Sequence, residues 1–249
     1  PLHLVSGFAA GHGVVLGQKA TEEKSNEITA IPELLKTLAL QGTIVTIDAM
    51  GTQTKIAETI RRGEADYVLC VKDNHPNLLD SIMFAGLGPE GALQPCSTDE
   101  VTATKPNHGR LEVRRCWAYD AVDRLYKHEQ WKDIRSFAII ERERTQDGRT
   151  SIERAYYISS LPADAARLAR AVRSHWEVEN RLHWCLDVQL ADDQSRTRSG
   201  FAANNLAIVR HIVMNLLRLN TTSKVGIKNK RLMASASDEF RAEVLGFMT

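Results

Sequence analysis

"TIVTIDAMGTQTKIAETIRRGEADYVLCVK" (Thr43–Lys72) sets the frame for the whole chain. TIVTI is a short β-branched run that fits a buried strand, and Gly42 closes whatever precedes it. Lys55–Arg62 places its apolar residues at helical spacing, and YVLCVK (Tyr67–Lys72) is a second apolar run. A strand, a helix and a strand in thirty residues predict parallel pairing through a crossover. The first strand ends on Asp48. In open α/β sheets, ligands collect beyond the carboxyl ends of strands. An acid at that place also serves as a turn or N-cap residue.

Upstream, LHLVSGF (Leu2–Phe8) and VVLGQKA (Val14–Ala20) flank AAGHG and predict a hairpin. Ser25–Leu40 predicts a helix with Leu34, Leu35 and Leu38 on one face and Pro32 near its first turn. From Cys96 to Ser160 short alternating runs separated by turn signals predict an antiparallel β insertion. Helical texture returns from Leu161 to about Leu219, and a polar break, NTTSK, precedes a last helical stretch. The expected organisation is a core segment over 1–95, the insertion over 96–160, helices completing the core over 161–220, and a basic tail over 221–249.

Ala163–Val188 reads as one amphipathic helix. Leu168, Val172, His175, Glu179, Leu182 and Leu186 fall on one stripe at spacings of three and four. Glu179 therefore points inward, whereas Glu177 falls with Arg170, Arg173, Ser174 and Arg181 on a solvent face. A lone buried carboxylate needs a partner, a proton or a metal. Asp48 and Glu179 converging beyond a strand end would make an oxygen-rich site for Mg²⁺ or Mn²⁺. With no glycine-rich phosphate loop, the matching chemistry is metal-assisted attack at a phosphodiester.

These residues lead to a family. The chain resembles the H-repeat-associated insertion-sequence transposases of bacteria, a group within the DDE transposases. The stretches that carry the likeness are EKSNEITAIPELL (Glu23–Leu35), TIDAMGTQ (Thr46–Gln53), ADYVLCVKDNH (Ala65–His75), HGRLEVR (His108–Arg114), YYISS (Tyr156–Ser160) and HWEVENRLHWCLDV (His175–Val188). The resemblance implies an RNase H-like α/β fold, a mixed sheet flanked by helices, with an antiparallel β insertion before the last catalytic helix. It implies three acids around two divalent metals, Asp48 matching the second and Glu179 the last. Water, then a 3′-hydroxyl, would attack DNA phosphates in line. The family's first Asp lies on a strand before LHLVSGF, the run on which this sequence opens after Pro1. The expectation is that something upstream is missing and that these residues alone are not a competent transposase. Many related transposases also show Y-x₂-R-x₃-E-x₆-K. Counted from Glu179 that pattern falls on Val172, His175 and Leu186, so His175 would stand in for the Arg as a phosphate contact and no Lys is available. Counted from Glu177 it gives Arg170, Arg173 and Trp184.

Other candidates come from position. Lys72 and Asn74 end the second strand on the edge that carries Asp48, where a Lys could neutralise a phosphate. Thr52 and Gln53 open the next helix, as caps or at free N–H groups. His108 and Arg110 form a turn that could touch DNA. His183, Trp176 and Trp184 read as core. Gln194–Ser237 contains no acid and eight basic residues, which suits a polyanion, and Arg196 and Arg198 would be the phosphate clamps nearest the catalytic helix. The overall charge of +1 names no partner. Four scattered cysteines, no signal segment and no apolar run of membrane length suit a cytoplasmic protein. The expected partner is double-stranded DNA, held by a homodimer. The readings that compete with a transposase are a non-catalytic DNA-binding remnant and a nuclease that cuts without joining.

Overall fold

A computed structural model describes residues 3–21, 27–87, 92–105, 110–197 and 199–247. The chain divides into two compact units, Ala39–His175 and a second built from Pro1–Leu38 and Trp176–Thr249.

The Ala39–His175 unit is a mixed α/β layer built on Thr43–Lys72. Strand β3 (Ile44–Ile47) and β4 (Asp66–Val71) pair in parallel, and α2 (Thr54–Arg62) connects them. Pairing across two strands separated by a helix follows from the spacing of the two apolar runs. Helix α3 (Pro76–Leu87) comes next, followed by the antiparallel strands β5 (Ser97–Lys105), β6 (Arg110–Tyr119), β7 (Ser136–Gln146) and β8 (Arg149–Ser159). The insertion does not stand apart: β8 pairs with β4, so the six strands run β3-β4-β8-β7-β6-β5 in one sheet. Helix α4 (Ala165–His175) lays Ala165, Leu168, Ala171 and Val172 on Val68, Cys70, Cys116, Ala118, Ala138 and Tyr157. Tyr67, Leu69, Phe137, Ile139 and Ile158 are fully buried on the alternate positions of the same strands, and Gly86 of α3 lies against Ile139 there. Only half of β8 joins β4; its Arg149–Arg154 half is exposed and extends with β6 and β7 beyond the helices.

The second unit begins with the predicted hairpin, β1 (His3–Ala9) and β2 (Val14–Thr21). Gly7 faces Gly17 across it, and the missing side chains leave room for Leu34 and Leu38. A Cβ on Gly7 would lie 3.0 Å from Leu38 Cδ1. Helix α1 runs Glu27–Lys36, which puts Pro32 inside the helix and not in its first turn, so the Ile28 carbonyl loses its i+4 donor. Helices α5 (Trp184–Leu190), α6 (Ala202–Leu219), α7 (Ile227–Ala236) and α8 (Asp238–Val244) complete the unit. Its core gathers Val15, Leu182, Cys185, Leu186 and Met214, with Phe8, Val178, Leu190 and Ile227 around them.

The predicted single helix over Ala163–Val188 is corrected. Helix α4 ends at His175, and Glu179–His183 is π-helical before α5 begins. A π-turn closes i to i+5, so one extra residue enters the turn and the faces downstream rotate by about 100°. The stripe drawn through Leu168 and Val172 therefore does not continue through Glu179.

Candidate active site

Asp48 follows the last residue of β3 and opens a single 3₁₀ turn, Ala49–Gly51. The Ala49 N–H donates to its Oδ1 at 2.7 Å, so the carboxylate is an N-cap as well as a candidate ligand. Its Oδ2 has no partner among the described residues, and the side chain is 71% exposed. The loop beneath is tied down from the end of β4. Thr52, fully buried, donates its hydroxyl to the Cys70 carbonyl at 2.6 Å. Asn74 Nδ2 donates to the Ala49 carbonyl at 2.6 Å, and His75 Nε2 meets the Thr52 carbonyl at 2.6 Å. These bonds fix the backbone that aims Asp48.

Parallel pairing puts the ends of β3 and β4 side by side, and Lys72 Nζ lies 3.7 Å from Asp48 Oδ1. Both groups are mostly exposed, so the pair contributes little stability and opens at little cost. Thr46, two residues before Asp48, hydrogen-bonds His175 Nδ1 at 3.1 Å, which sets the imidazole at the end of α4 over the same strand. Asp48, Lys72 and His175 thus share one corner of the unit. Asn74 lies there too, with its amide used on the Ala49 carbonyl. Gln53 precedes α2 without a side-chain cap bond. Burial pushes the Cys70 thiol up to about 11, with Lys72 opposing and Asp48 adding, so this cysteine is an inert neighbour.

Glu179 belongs to the other unit, at the first π-helical residue. Its expected burial is overturned: Glu179 is exposed, while Glu177 is half-buried and pairs with Arg181 at 2.7 Å. The inward face of this segment belongs to Val178, Leu182, Cys185 and Leu186, which leaves Glu179 off it. The Glu179 carbonyl accepts from the Trp184 N–H, while its carboxylate makes no hydrogen bond or ion pair among the described residues. His183, Trp176 and Trp184, read as core, are exposed as well. Asp187 is held above the usual carboxylate range, first by burial and then by Asp193 and Asp192, with His183 opposing and Glu179 adding. Asp48 Oδ2 and, in the other unit, the Glu179 carboxylate are thus without partners among the described residues, and carboxylate oxygens of this kind suit a hard divalent cation. Among the described residues no three His, Cys, Asp or Glu side chains gather in one place as a metal set.

The basic C-terminal run is partly internal. Arg210 pairs with Asp192 at 2.5 Å, and Arg218 donates to the Gly13 carbonyl. Lys230 is buried and donates to the carbonyls of Leu217 (3.1 Å) and Asn220, capping the end of α6. Arg231 donates to the Gln189 carbonyl. Arg196, Lys224 and Lys228 are exposed. His108 and Arg198 lie outside the described residues, as does the side chain of Arg110. Among the described residues no helix is long and apolar enough to cross a membrane.

Comparison with known proteins gives one family and several relatives. The model of the transposase DDE domain matches residues 1–216. "H repeat-associated putative transposase YhhI" of Escherichia coli (strain K12) is 38% identical over 251 residues, covering 98% of this chain and 65% of the relative. "Putative protein YbfL" of the same strain has the same identity and coverage. "Putative transposase YncI" of Escherichia coli O157:H7 is 39% identical over 248 residues, covering 98% of this chain and 63% of its own length. The chain thus spans a little under two thirds of each of these relatives.

Proposed function

The chain belongs to the transposase DDE domain family, and from that starting point we propose that it works as a DNA transposase, with Asp48 and Glu179 as acidic ligands of its divalent ions. The observation that carries this reading is Asp48 itself. It stands at the carboxyl end of a parallel strand, with one oxygen spent on its own turn, the other unpartnered among the described residues, and a loosely held Lys72 beside it.

Mg²⁺ or Mn²⁺, when bound, supplies Lewis acidity at the phosphate and lowers the pKa of the attacking hydroxyl. Asp48 and Glu179 hold the ions through carboxylate oxygen. Lys72 leaves Asp48 for a phosphate oxygen as the DNA arrives. His175, steadied by Thr46, gives a second phosphate contact. Asn74 supports the loop from below and can reach the backbone of the DNA only by giving up Ala49. Arg196, exposed beyond α5, is a phosphate clamp, and His108, Arg110 and Arg198 are further contacts read from sequence alone. The reaction class is strand cleavage followed by strand transfer of an insertion sequence. The working assembly is a homodimer across two DNA ends in the bacterial cytoplasm.

The family's site takes three acids, and two of its positions fall within these residues. The test is a nicking and joining assay with supercoiled plasmid in Mn²⁺, on this polypeptide and on one extended upstream to include the first acid. Cleavage and joining by the extended chain, abolished by Asp48→Asn, supports the proposal. Binding without cleavage in the extended chain supports a DNA-binding remnant instead, and nicking without joining supports a nuclease.

A further inference from the structure

The projecting half of the sheet carries a second charged region, distinct from the Asp48 corner. Side chains alternate along each strand, so one face of β6–β8 carries Glu112, Arg114, Arg142, Arg144 and Glu153 in register. It is the face that α4 covers farther along, where Cys116, Ala138 and Tyr157 lie. Glu112 is buried between Arg114 and Arg144, the latter at 3.2 Å, and Glu153 pairs with Arg142. Gln146 pairs with Arg149 at the tip on the same face. Arg173 of α4 stands near enough for its charge, with those of Arg142 and Arg144, to add to the burial that lowers the Arg114 pKa. Among the described residues, five arginines meet two glutamates and, farther along beside Cys116, Asp99 of β5, and neither Arg149 nor Arg173 has a carboxylate partner.

The opposite face of the same strands has the reverse balance. Arg115 is held by Glu100 (2.9 Å), Glu141 (3.1 Å) and Glu143 (2.8 Å), and Arg154 joins Glu141 at 2.8 Å. Two arginines are fully matched there by three acids. The surplus of positive charge is thus confined to one face and not a general property of the strands. At its tip lies a cavity of about 330 Å³ lined by Arg144, Gln146, Arg149, Thr150 and Ser151, donors with no acid among them.

We propose that this arginine face is a binding surface for the phosphate backbone of duplex DNA. Guanidinium forks match phosphate geometry, and a surplus held together by a buried glutamate is preset for a polyanion. From Arg142 to Gln146 the strand rises about 13 Å at 3.3 Å per residue. That matches roughly four base-pair steps at 3.4 Å. The proposal rests on the DNA reading above but not on its metal chemistry.

The test is fluorescence anisotropy of the full chain in EDTA, with a labelled random-sequence duplex and its single strand, across a salt series. Arg149→Gln with Arg173→Gln removes two arginines that hold no carboxylate, so the fold is left alone. This pair is expected to weaken duplex binding about tenfold and lower the slope of log K against log salt by about two. Arg62→Gln with Arg135→Gln, two exposed arginines away from this face, is expected to stay within about twofold with its slope unchanged. Equal loss in both pairs, or no change in the first, overturns the proposal. Tighter binding of the single strand overturns the duplex assignment. Binding is measured in EDTA, with no divalent ion to hold, so failure of the metal reading leaves this result standing.

Discussion

Asp48 has two roles that substitution separates. Asn caps a turn as well as Asp does but brings no charge. Asp48→Asn is therefore expected to keep the melting temperature of the parent within about 2 °C while removing metal-dependent cleavage in the upstream-extended chain. Asp48→Ala loses the cap too, at a cost of about 1 kcal/mol. The two glutamates of HWEVEN give a second test. Glu177 is engaged with Arg181, which also donates to the Ala10 carbonyl, so Glu177→Gln is expected to lower stability slightly and leave cleavage intact. Glu179→Gln is expected to do the reverse, and cleavage assays beside thermal melts separate the two. The place of Asp48 at a strand end and at the cap of a turn was legible in the sequence, because a carboxylate after a β-branched run favours that place. The loop bonds of Thr52, Asn74 and His75 were not, since nothing in their spacing says which carbonyl each will meet.

Among the secondary-structure elements, α6 is tied to the hairpin by polar side chains at turn spacing. Asn215 donates to the Val15 carbonyl and accepts from its N–H, both at 2.8 Å, standing in for a neighbouring strand. Asn215→Ala strips both bonds and is expected to cost about 2 kcal/mol in a denaturant titration. One turn earlier, His211 Nδ1 meets Gln18 Oε1. Burial holds this imidazole below its ordinary 6.5, with Asp192 opposing and His183 adding. A folded pKa below the unfolded one means that the unfolded chain binds the proton first. The contribution is present above about 6.5 and is lost as pH falls through the lower folded value. Melts at pH 7 and pH 5 are expected to differ, and His211→Gln is expected to shrink that difference. The strand–helix–strand frame was readable because period-two and period-3.6 patterns alternate cleanly from Thr43 to Lys72. The π-turn at Glu179 was not, because a change in turn size leaves the letters of the apolar pattern unchanged.

Across the protein, a net charge of +1 conceals an uneven distribution. Four of the eight basic residues between Gln194 and Ser237 are spent inside the fold, while arginines on β6–β8 and α4 collect on one face. Counting charge along the chain finds the first group; only the strand register finds the second. DNA affinity is accordingly expected to respond more to Arg149 and Arg173 than to Arg210 and Arg218. If Asp48 and Glu179 serve the same metal ions, hydroxyl-radical mapping will place them together. The chain is loaded with Fe²⁺ in place of Mg²⁺, treated with ascorbate and peroxide, and its backbone cuts are located. Cuts are expected near both residue 48 and residue 179, suppressed by excess Mg²⁺ and lost at both places in Asp48→Asn. Cuts near one residue alone, or cuts at 179 that survive Asp48→Asn, would refute a shared metal site.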